Sequence, residues 1–436
     1  MRLNVLRGSV KVGLLDIHAN EPFYGFTYDS GYLDSPEALP LSLSLPLIGS
    51  RYSSELAQPY FEGLLPEGEA RDVISRRLGV PRTSSVKLLR ALGRDCAGDI
   101  SIIDESEYFK SDTMSRVESY KQLYIPLDGG IERIAKNPRE EIPRLQEDMR
   151  LSLAGGQEKI ALYHNHDDTI KEGWYVPLHG APSTHIIKPG LLEAHYPNIT
   201  LNEFLCLRAA AACGIQTADV DLLYPEMPII VIRRYDRLMS DIMTNGLRTV
   251  VRIHQEDFCQ ASGVVSDLKY EHDGGPGFRL IRDLLARYAK HPIESISTLI
   301  KWGIFNYLIG NCDAHAKNLS LLHNIDGTIS LAPVYDLIST TIYDGNFGSK
   351  LSRSMGMRIG AHENIDRIDA GDFGVFSKDV RMRLQQVKNI GEELMEKLPS
   401  AVSLAVNAAE GEGFFSAGEM AERILSGCSR RIKAVK

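Results

Sequence analysis

The stretch Asn311–Ser320, NCDAHAKNLS, decides the predicted fold, together with the residues that follow it. Asp313 and Asn318 stand five positions apart, and Asp336 follows a short strand-like run, Ser330–Ala332. An Asp, an Asn five residues later and a second Asp beyond a strand are the acidic layout of a kinase-type phosphotransferase. In that chemistry the first Asp accepts the proton of the attacking hydroxyl, and the other two residues hold magnesium ions. Taken alone, the spacing is equally typical of a turn closed by Asp and Asn side chains.

Composition limits the class of protein. The chain has 436 residues, enough for two or three domains, with 43 % hydrophobic and 24 % charged residues. Its net charge of −8 argues against binding nucleic acid through bulk electrostatics, although a local basic face or a DNA-binding partner is compatible with it. No apolar run approaches the ~20 residues of a membrane span. The alternating N-terminus predicts a strand pair, with a hairpin at Arg7-Gly8, and not a signal peptide. The six cysteines form no C-x-x-C pair, so the sequence indicates neither a zinc ribbon nor a redox pair. Scattered thiols of this kind favour a reducing cytoplasm.

Upstream of Asp313, a glycine pair and a lysine lie in the order that a kinase requires. Gly155 and Gly156 lie in a small-residue loop that we expect between two strand-like arms, where backbone amides could approach a polyphosphate. An ordinary glycine turn explains the pair at least as well, because it matches no standard phosphate-loop pattern. The run Thr184–Lys188 predicts a strand whose lysine could reach ATP phosphates, while a surface lysine is the common alternative.

A helix and a hinge follow the lysine. The run Asn202–Cys213 predicts a helix that Gly214 ends, with Glu203 in its first turn and able to pair with Lys188. Compensation of the helix dipole is the alternative explanation for that glutamate. Arg233–Arg237 comes directly after a buried strand, Pro228–Ile232, where a kinase has the hinge whose backbone binds adenine.

These parts together predict an α+β, two-lobed protein-kinase-like fold with an N-terminal β-rich subdomain and a mainly helical C-terminal lobe. Within the first subdomain, the alternation in Leu41–Pro46 predicts a half-buried strand. The predicted divisions are residues 1–105 for the N-terminal subdomain, 106–149 for a linker and entry segment, 150–253 for the kinase N-lobe and 254–436 for the C-lobe.

The sequence also resembles the HipA family of serine/threonine kinase toxins, which partner a small helix-turn-helix antitoxin. The matching pieces span most of the chain in register: Leu41–Pro46, Gly93–Asp95, Ser152–Lys159, Thr184–Lys188, Gln255–Gln260, Lys269–Gly277, Asp313–Asn318 and Tyr335-Asp336. One departure is Gly156, where alanine is usual in the family. Another is the segment Pro189–Leu201, which is shorter than in the best-known member and belongs to the region that governs substrate access.

The resemblance implies a role for each matching position. Asp313 would be the catalytic base, Asn318 and Asp336 would hold Mg²⁺, and Lys188 would bind the phosphates of ATP. The other residues that would bind ATP are Ala154, Gly155, Gly156, Gln157, Glu158 and Lys159 in the loop, Arg233, Arg234 and Tyr235 in the hinge, and His315, Ala316, Lys317, Asn318, Tyr335 and Asp336 near the catalytic stretch.

The resemblance further implies regulation and partners. Ser152 matches the family's autophosphorylated serine, and a phosphate there would add roughly −1.5 to −2 charge where the phosphates of ATP must lie. Lys378 and Arg381 match positions that approach operator DNA in the toxin–antitoxin complex, and they would share one face if their stretch were helical; a solvated helix face explains them equally well. The implied acceptor is a protein such as an aminoacyl-tRNA synthetase, the glutamyl enzyme in some branches of the family and the tryptophanyl enzyme in others. A small-molecule kinase on the same fold and a non-catalytic co-repressor are the alternative functions.

Overall fold

A computed structural model of the protein describes residues 2–17, 24–106, 123–192, 195–343 and 351–435. The helices are α1 (Ser30–Leu33), α2 (Ser54–Glu62), α3 (Gly68–Leu78), α4 (Ser85–Leu92), α5 (Gly130–Lys136), α6 (Pro138–Met149), α7 (Ile199–Ala212), α8 (Phe258–Ser262), α9 (Phe278–Tyr288), α10 (Pro292–Ile309), α11 (Ala370–Asp379), α12 (Leu384–Gly411) and α13 (Ala417–Val435). The strands are β1 (Arg2–Arg7), β2 (Val10–Ile17), β3 (Tyr24–Tyr28), β4 (Arg51–Tyr52), β5 (Ile100–Asp104), β6 (Tyr124–Pro126), β7 (Ile160–His164), β8 (Trp174–Pro177), β9 (His185–Pro189), β10 (Val220–Leu223), β11 (Ile229–Arg233), β12 (Arg237–Thr244), β13 (Leu247–Arg252), β14 (His254–Asp257), β15 (Ser320–His323) and β16 (Ile329–Leu331).

These elements form two compact units. The first unit contains Met1–Pro189, Arg233–Ser266 and Leu322–Gly327, and the second contains Gly190–Ile232, Asp267–Leu321 and Thr328–Lys436. No helix within the described ranges combines the length and the apolar character that crossing a membrane would require.

An antiparallel sheet with the order β4-β3-β2-β1-β5 builds the start of the first unit. Leu3 pairs with Leu15 on one side and with Asp104 on the other, so β1 is a central strand. Its buried side chains pack with the aromatic residues Phe26, Tyr60 and Phe61 in one hydrophobic core. This burial accounts for the apolar residues of β1, and the predicted hairpin of β1 and β2 is confirmed.

A second group of strands in the first unit carries the predicted ATP lysine. The strands β9, β7, β8 and β6 pair in that order, with Ile160 opposite Ile187 and Tyr163 opposite Tyr175. The strand predicted to end in a lysine is therefore present as β9. Residues 123–149 of the predicted linker contain β6, α5 and α6, while 107–122 lie outside the described residues.

The prediction of a strand at Leu41–Pro46 is wrong. Ser42 and Leu45 form only an isolated bridge, closed by a hydrogen bond of 3.0 Å from the Leu45 N–H to the Ser42 carbonyl. Leu41 and Leu45 are buried, while the Ser44 hydroxyl donates to the carbonyl of Gln260 at 2.7 Å. A turn with its leucines inside and its serines bonded to another segment produces the same alternation as a strand, so the pattern misled.

Helices dominate the second unit. The long helix α10 is buried along most of its length and ends at Gly310, whose φ of 77° is the left-handed conformation of a helix stop. It packs against α9, α12 and α13, and α12 also packs against α7. This places the start of the predicted catalytic stretch at the end of a rigid buried helix.

Candidate active site

A side chain of the buried helix α10 fixes the backbone that leads into Asp313. The Asn311 amide group donates to Asn306 Oδ1 at 2.7 Å, and its oxygen accepts the Asp313 N–H at 3.0 Å. Asn306 and Asn311 are both fully buried. A buried asparagine that uses its donor and its acceptor in this way fixes the start of the loop at a defined angle.

The carbonyl of Asp313 closes the loop onto Asn318. The Asn318 side-chain amide donates to it at 2.9 Å, and the backbone N–H of His315 donates to it at 2.9 Å as well. His315, Lys317 and Asn318 are buried at the short 3₁₀ turn Ala316–Asn318. Since the amide nitrogen of Asn318 faces the backbone of Asp313, its oxygen faces the opposite way, where a cation could take it as a ligand.

Asp336 lies on a strained backbone beside this loop. Its φ is 58°, a left-handed conformation that a residue other than glycine adopts rarely. The preceding residue is anchored, because the Tyr335 hydroxyl donates to the Lys317 carbonyl at 2.7 Å and lies 2.7 Å from Ser320 Oγ. Such strain persists where surrounding contacts enforce it, and it is found disproportionately at functional sites.

One carboxylate and one amide oxygen are a fitting but sparse ligand set for Mg²⁺. The ion prefers oxygen ligands, keeps several waters and is commonly completed by substrate phosphates. Across the described ranges, no group of three or more His, Cys, Asp and Glu side chains could hold a metal ion. Asn318 and Asp336 would therefore hold Mg²⁺ together with a nucleotide, and the ion would neutralise charge on the phosphates.

Tyr270 is a contact of Asp313 that sequence reasoning missed. Its hydroxyl donates to Asp313 Oδ1 at 2.6 Å, and its ring meets that of His315 edge-on with 5.1 Å between centroids. The available signal was its position inside the family motif Lys269–Gly277, although nothing in that motif indicates which side chain reaches the aspartate.

The glycine loop belongs to the first unit and lies against a segment of the N-terminal subdomain. Gly155 has a φ of 104° and bridges in parallel to Pro66, and its carbonyl accepts the N–H of Glu67 at 3.1 Å. A Cβ at Gly155 would lie 2.6 Å from Lys159 Nζ, whereas one at Gly156 would meet nothing within 4 Å. The loop therefore requires glycine at Gly155 and would accept alanine at Gly156.

The prediction of a strand directly before the glycine loop is wrong. Leu151 makes only an isolated bridge to Asp95, and Ser152 donates its N–H to the Asp95 carbonyl at 3.0 Å. Ser152 is fully buried, and its hydroxyl donates to the carbonyl of Leu64 at 2.7 Å. Hydrogen bonds to Asp95 and Leu64 take the place of a sheet partner. Ser152 is therefore buried at the start of the glycine loop and not exposed at its entrance.

Lys188 and Glu203 are both almost fully buried, Lys188 in the first unit and Glu203 in the second. Helix α7 begins at Ile199, three residues before the predicted start, so the placement of Glu203 in the first turn is wrong. Compensation of the helix dipole is therefore a poor explanation for a buried carboxylate in the second turn. The ion pair between the two residues stays a prediction.

The predicted hinge begins as expected at the end of β11 and then enters a hairpin that we did not predict. The Arg234 N–H donates to the Thr184 carbonyl at 2.9 Å, so this backbone donor is already used. The Arg234 side chain is buried and donates to Asp236 at 2.8 Å and to Ser183 at 2.9 Å. Arg233 is exposed and Tyr235 half-buried. Of the three hinge residues, Arg234 is therefore the least suited to contact adenine through its N–H.

Lys378 and Arg381 are exposed, but they do not continue one helix face. Lys378 lies in the last turn of α11, which ends at Asp379, and Arg381 follows in a turn with a φ of 50°. The condition on which they would share a face is therefore not met, and their approach to DNA stays a prediction.

Known proteins resemble this chain over most of its length. The model of the HipA-like C-terminal domain matches residues 151–402, and that of the HipA N-terminal domain matches residues 3–103. A Sinorhizobium fredii protein named "Putative kinase Y4mE" is 37 % identical over 382 residues, which cover 87 % of this chain and 86 % of that one. The serine/threonine-protein kinase toxin HipA of Shewanella oneidensis is 28 % identical over 357 residues, covering 79 % and 76 % of the two chains.

A solved structure agrees with these sequence matches. The complex of HipA, HipB and operator DNA from Shewanella oneidensis MR-1 contains a chain that matches with a TM-score of 0.79 and 25 % identity, over 99 % of this chain and 98 % of that one. The match confirms the class of fold, an α+β, two-lobed and protein-kinase-like architecture. The chain belongs to the HipA family. The names of its relatives support kinase activity in general terms, and with it the use of ATP.

Proposed function

We propose that the protein is a serine/threonine protein kinase that transfers the γ-phosphoryl group of Mg-ATP to a cellular protein. The observation that carries this proposal is the set of contacts around Asp313, whose carbonyl accepts the Asn318 amide at 2.9 Å beside the strained Asp336. Asp313 accepts the proton of the attacking hydroxyl, while Asn318 and Asp336 hold the cation. Such a reaction needs positioning and charge neutralisation more than covalent chemistry.

The glycine loop, β9 and the predicted hinge would supply nucleotide-binding groups. Lys188 and the loop Ala154–Lys159 bind the phosphates, and backbone groups at Arg233 and Tyr235 contact the base. Supporting this assignment, the left-handed Gly155 leaves the space that Lys159 Nζ occupies above the loop. A loop of this kind presents backbone N–H groups to an anion.

Autophosphorylation of Ser152 would switch the kinase off. Because the Ser152 hydroxyl is buried and bonded to Leu64, it is inaccessible in the conformation described. Phosphorylation therefore requires the loop base to leave its place against Leu64 and Asp95. A phosphate carrying roughly −1.5 to −2 charge would then prevent the loop from returning to this buried position.

The proposed setting is a toxin–antitoxin system in the cytoplasm. The matched structure is a complex of HipA with HipB and operator DNA, which supports a HipB-like helix-turn-helix antitoxin as the partner here. Lys378 and Arg381 are exposed and basic, as residues that face DNA within such a complex would be. An aminoacyl-tRNA synthetase is the acceptor that the family resemblance favours.

The test is intact-mass spectrometry before and after incubation with Mg-ATP, with peptide mapping of the product. We expect one added phosphate on Ser152 in the wild type and none in Asp313→Asn, whose circular dichroism should match the wild type. Ser152→Ala should lose this phosphate and keep its activity toward a protein acceptor.

Three outcomes would contradict the proposal. Equal phosphorylation of wild type and Asp313→Asn would exclude Asp313 as the base. An initially unmodified protein that binds ATP and gains no phosphate would favour the small-molecule kinase, and one that binds no nucleotide would favour the non-catalytic co-repressor.

A further inference from the structure

We propose that Tyr270 is a positioning residue for the kinase reaction, because its phenol holds the Asp313 carboxylate in the orientation that receives the proton of the acceptor hydroxyl. The inference rests on the proposed function and adds a residue to that site. Tyr270 Oη lies 2.6 Å from Asp313 Oδ1, the distance expected of a hydrogen bond from a hydroxyl to a carboxylate. Because the contact involves a charged acceptor, it restricts rotation of the carboxylate more strongly than a neutral contact would.

Tyr270 can perform this role because its own backbone is fixed. Its carbonyl accepts the N–H groups of Asp273 at 3.1 Å and Gly275 at 2.9 Å, which closes a tight turn. The backbone is closely packed at Gly275, where a Cβ would clash with the Leu268 carbonyl oxygen. The phenol is therefore attached to a rigid support.

The same turn is bonded to the backbone beside Asp313. The N–H of Glu271 donates to the Gly356 carbonyl at 2.9 Å, and the N–H of Gly356 donates to the Cys312 carbonyl at 2.9 Å. A Cβ at Gly356 would lie 2.7 Å from the backbone of Ala314, so the three segments are in close contact. The distance between Tyr270 and Asp313 is thus set by backbone hydrogen bonds as well as by the phenol.

Because one oxygen of the Asp313 carboxylate is bound to the Tyr270 hydroxyl, the position of the other oxygen is also fixed. During transfer, a new bond forms between the acceptor oxygen and the γ-phosphorus, the bond from that phosphorus to the bridging oxygen of ADP breaks, and the acceptor proton passes to Asp313. Tyr270 keeps its own proton throughout. Misplacement of a reacting group by about 1 Å can cost on the order of 100-fold in rate, so the loss of this contact should be measurable.

The experiment compares Tyr270→Phe with the wild type, Asp313→Asn and His272→Ala. His272 is exposed and stacks on the Tyr270 ring with 5.4 Å between centroids, so its removal alters the ring contact and leaves the hydroxyl in place. Phosphate incorporation is measured against ATP concentration, and ATP affinity is measured separately by calorimetry. We expect Tyr270→Phe to lower the maximal rate about 10- to 100-fold, with ATP affinity and half-saturating ATP within about twofold of wild type. His272→Ala should retain the wild-type rate.

The outcomes separate this inference from the function on which it rests. If the wild type is active, Asp313→Asn is inactive and Tyr270→Phe is as fast as wild type, the positioning role fails and the kinase assignment stands. A faster Tyr270→Phe also overturns it, since the phenol would then be obstructing the acceptor. If the wild type incorporates no phosphate, the proposed function fails and this role fails with it.

Discussion

Single residues in the glycine loop show how backbone conformation limits chemistry. Gly155 and Gly156 are adjacent and identical, yet of the two only Gly155 has a positive φ, of 104°. Its missing side chain also leaves room for Lys159 Nζ, which a Cβ would approach to 2.6 Å. The cost of a side chain should therefore be concentrated at one of the two positions.

Gly155→Ala should weaken the binding of Mg-ATP at least about tenfold and lower the melting temperature, because strained backbone costs on the order of 1–3 kcal/mol. Gly156→Ala is the matched control and should bind ATP with an affinity within about twofold of wild type. Calorimetry with Mg-ATP and thermal unfolding measure both effects. Equal losses in the two variants would contradict the assignment of Gly155 as the constrained position.

Among the secondary structure elements, the short helix α8 is stabilised both by its own cap and by a contact with another helix. It has a capping box, in which Asp257 accepts the N–H of Gln260 at 2.9 Å and Gln260 Oε1 accepts the N–H of Asp257 at 2.8 Å. The amide nitrogen of Gln260 also donates to the carbonyl of Tyr60 at the end of α2, at 2.8 Å. One side chain therefore caps α8 and attaches it to the N-terminal subdomain.

Gln260→Ala should lower the free energy of unfolding by about 2 kcal/mol or more, because it removes a cap and leaves the buried Tyr60 carbonyl without this donor. Gln385→Ala is the chemically matched control, since Gln385 is exposed on α12 and donates to Asn389 in the same helix. Denaturant unfolding followed by circular dichroism gives both values. A loss at Gln260 no larger than that at Gln385 would mean that the contact with Tyr60 contributes nothing.

At the scale of the whole molecule, a buried ionic cluster joins distant parts of the chain within the first unit. The Asp95 carboxylate contacts Arg237 at 3.0 Å and Arg252 at 2.9 Å, and Asp236 contacts Arg234 at 2.8 Å. Although burial opposes the ionisation of Asp95, the guanidinium groups of Arg252, Arg237 and Arg234 hold its pKa below the ordinary value. Burial, reinforced by the nearby Arg234 charge, lowers the pKa of Arg237 to about 10.

The depressed pKa of Asp95 predicts a loss of stability in acid. Its contribution is fully present above the unfolded pKa of about 3.9 and is lost as the pH falls toward the lower folded value. Asp95→Asn should lower the free energy of unfolding at pH 7 by about 3–5 kcal/mol, since it leaves three arginines, of which Arg234 and Arg237 are buried, with one carboxylate. Below pH about 4 its stability should fall less steeply than that of wild type.

Unfolding by denaturant between pH 3 and 7 measures the difference for Asp95→Asn. Asp34→Asn is the control, because Asp34 is an exposed aspartate of the same unit. We expect it to follow the wild-type curve throughout. An Asp95→Asn curve parallel to wild type over the whole range would show that Asp95 does not contribute to acid unfolding.

Local patterns in the sequence determined much of this protein. The kinase-like layout, the predicted hairpin of β1 and β2, the helix α4 and the long helix α10 follow from residue spacing and from glycine stops that act over a few positions. The hairpin of β12 and β13 could also have been predicted, because Asn-Gly is a typical sequence for a two-residue hairpin turn. In the structure Asn245 and Gly246 both have the positive φ that this turn requires. The domain boundaries and the roles of the site residues stay predictions.

Only the tertiary structure decided which contacts complete the site. Tyr270 reaches Asp313 across 43 positions, and the hydroxyl of Ser152 reaches Leu64 across 88. Neither contact leaves a periodic signal in the sequence, because each depends on how separate segments pack. The same reason explains the false strand at Leu41–Pro46, whose serines alternate with leucines because they bond to residues more than 200 positions away, as Ser44 does to Gln260. The sequence by itself determines local conformation and the chemistry available, whereas packing decides which side chains meet.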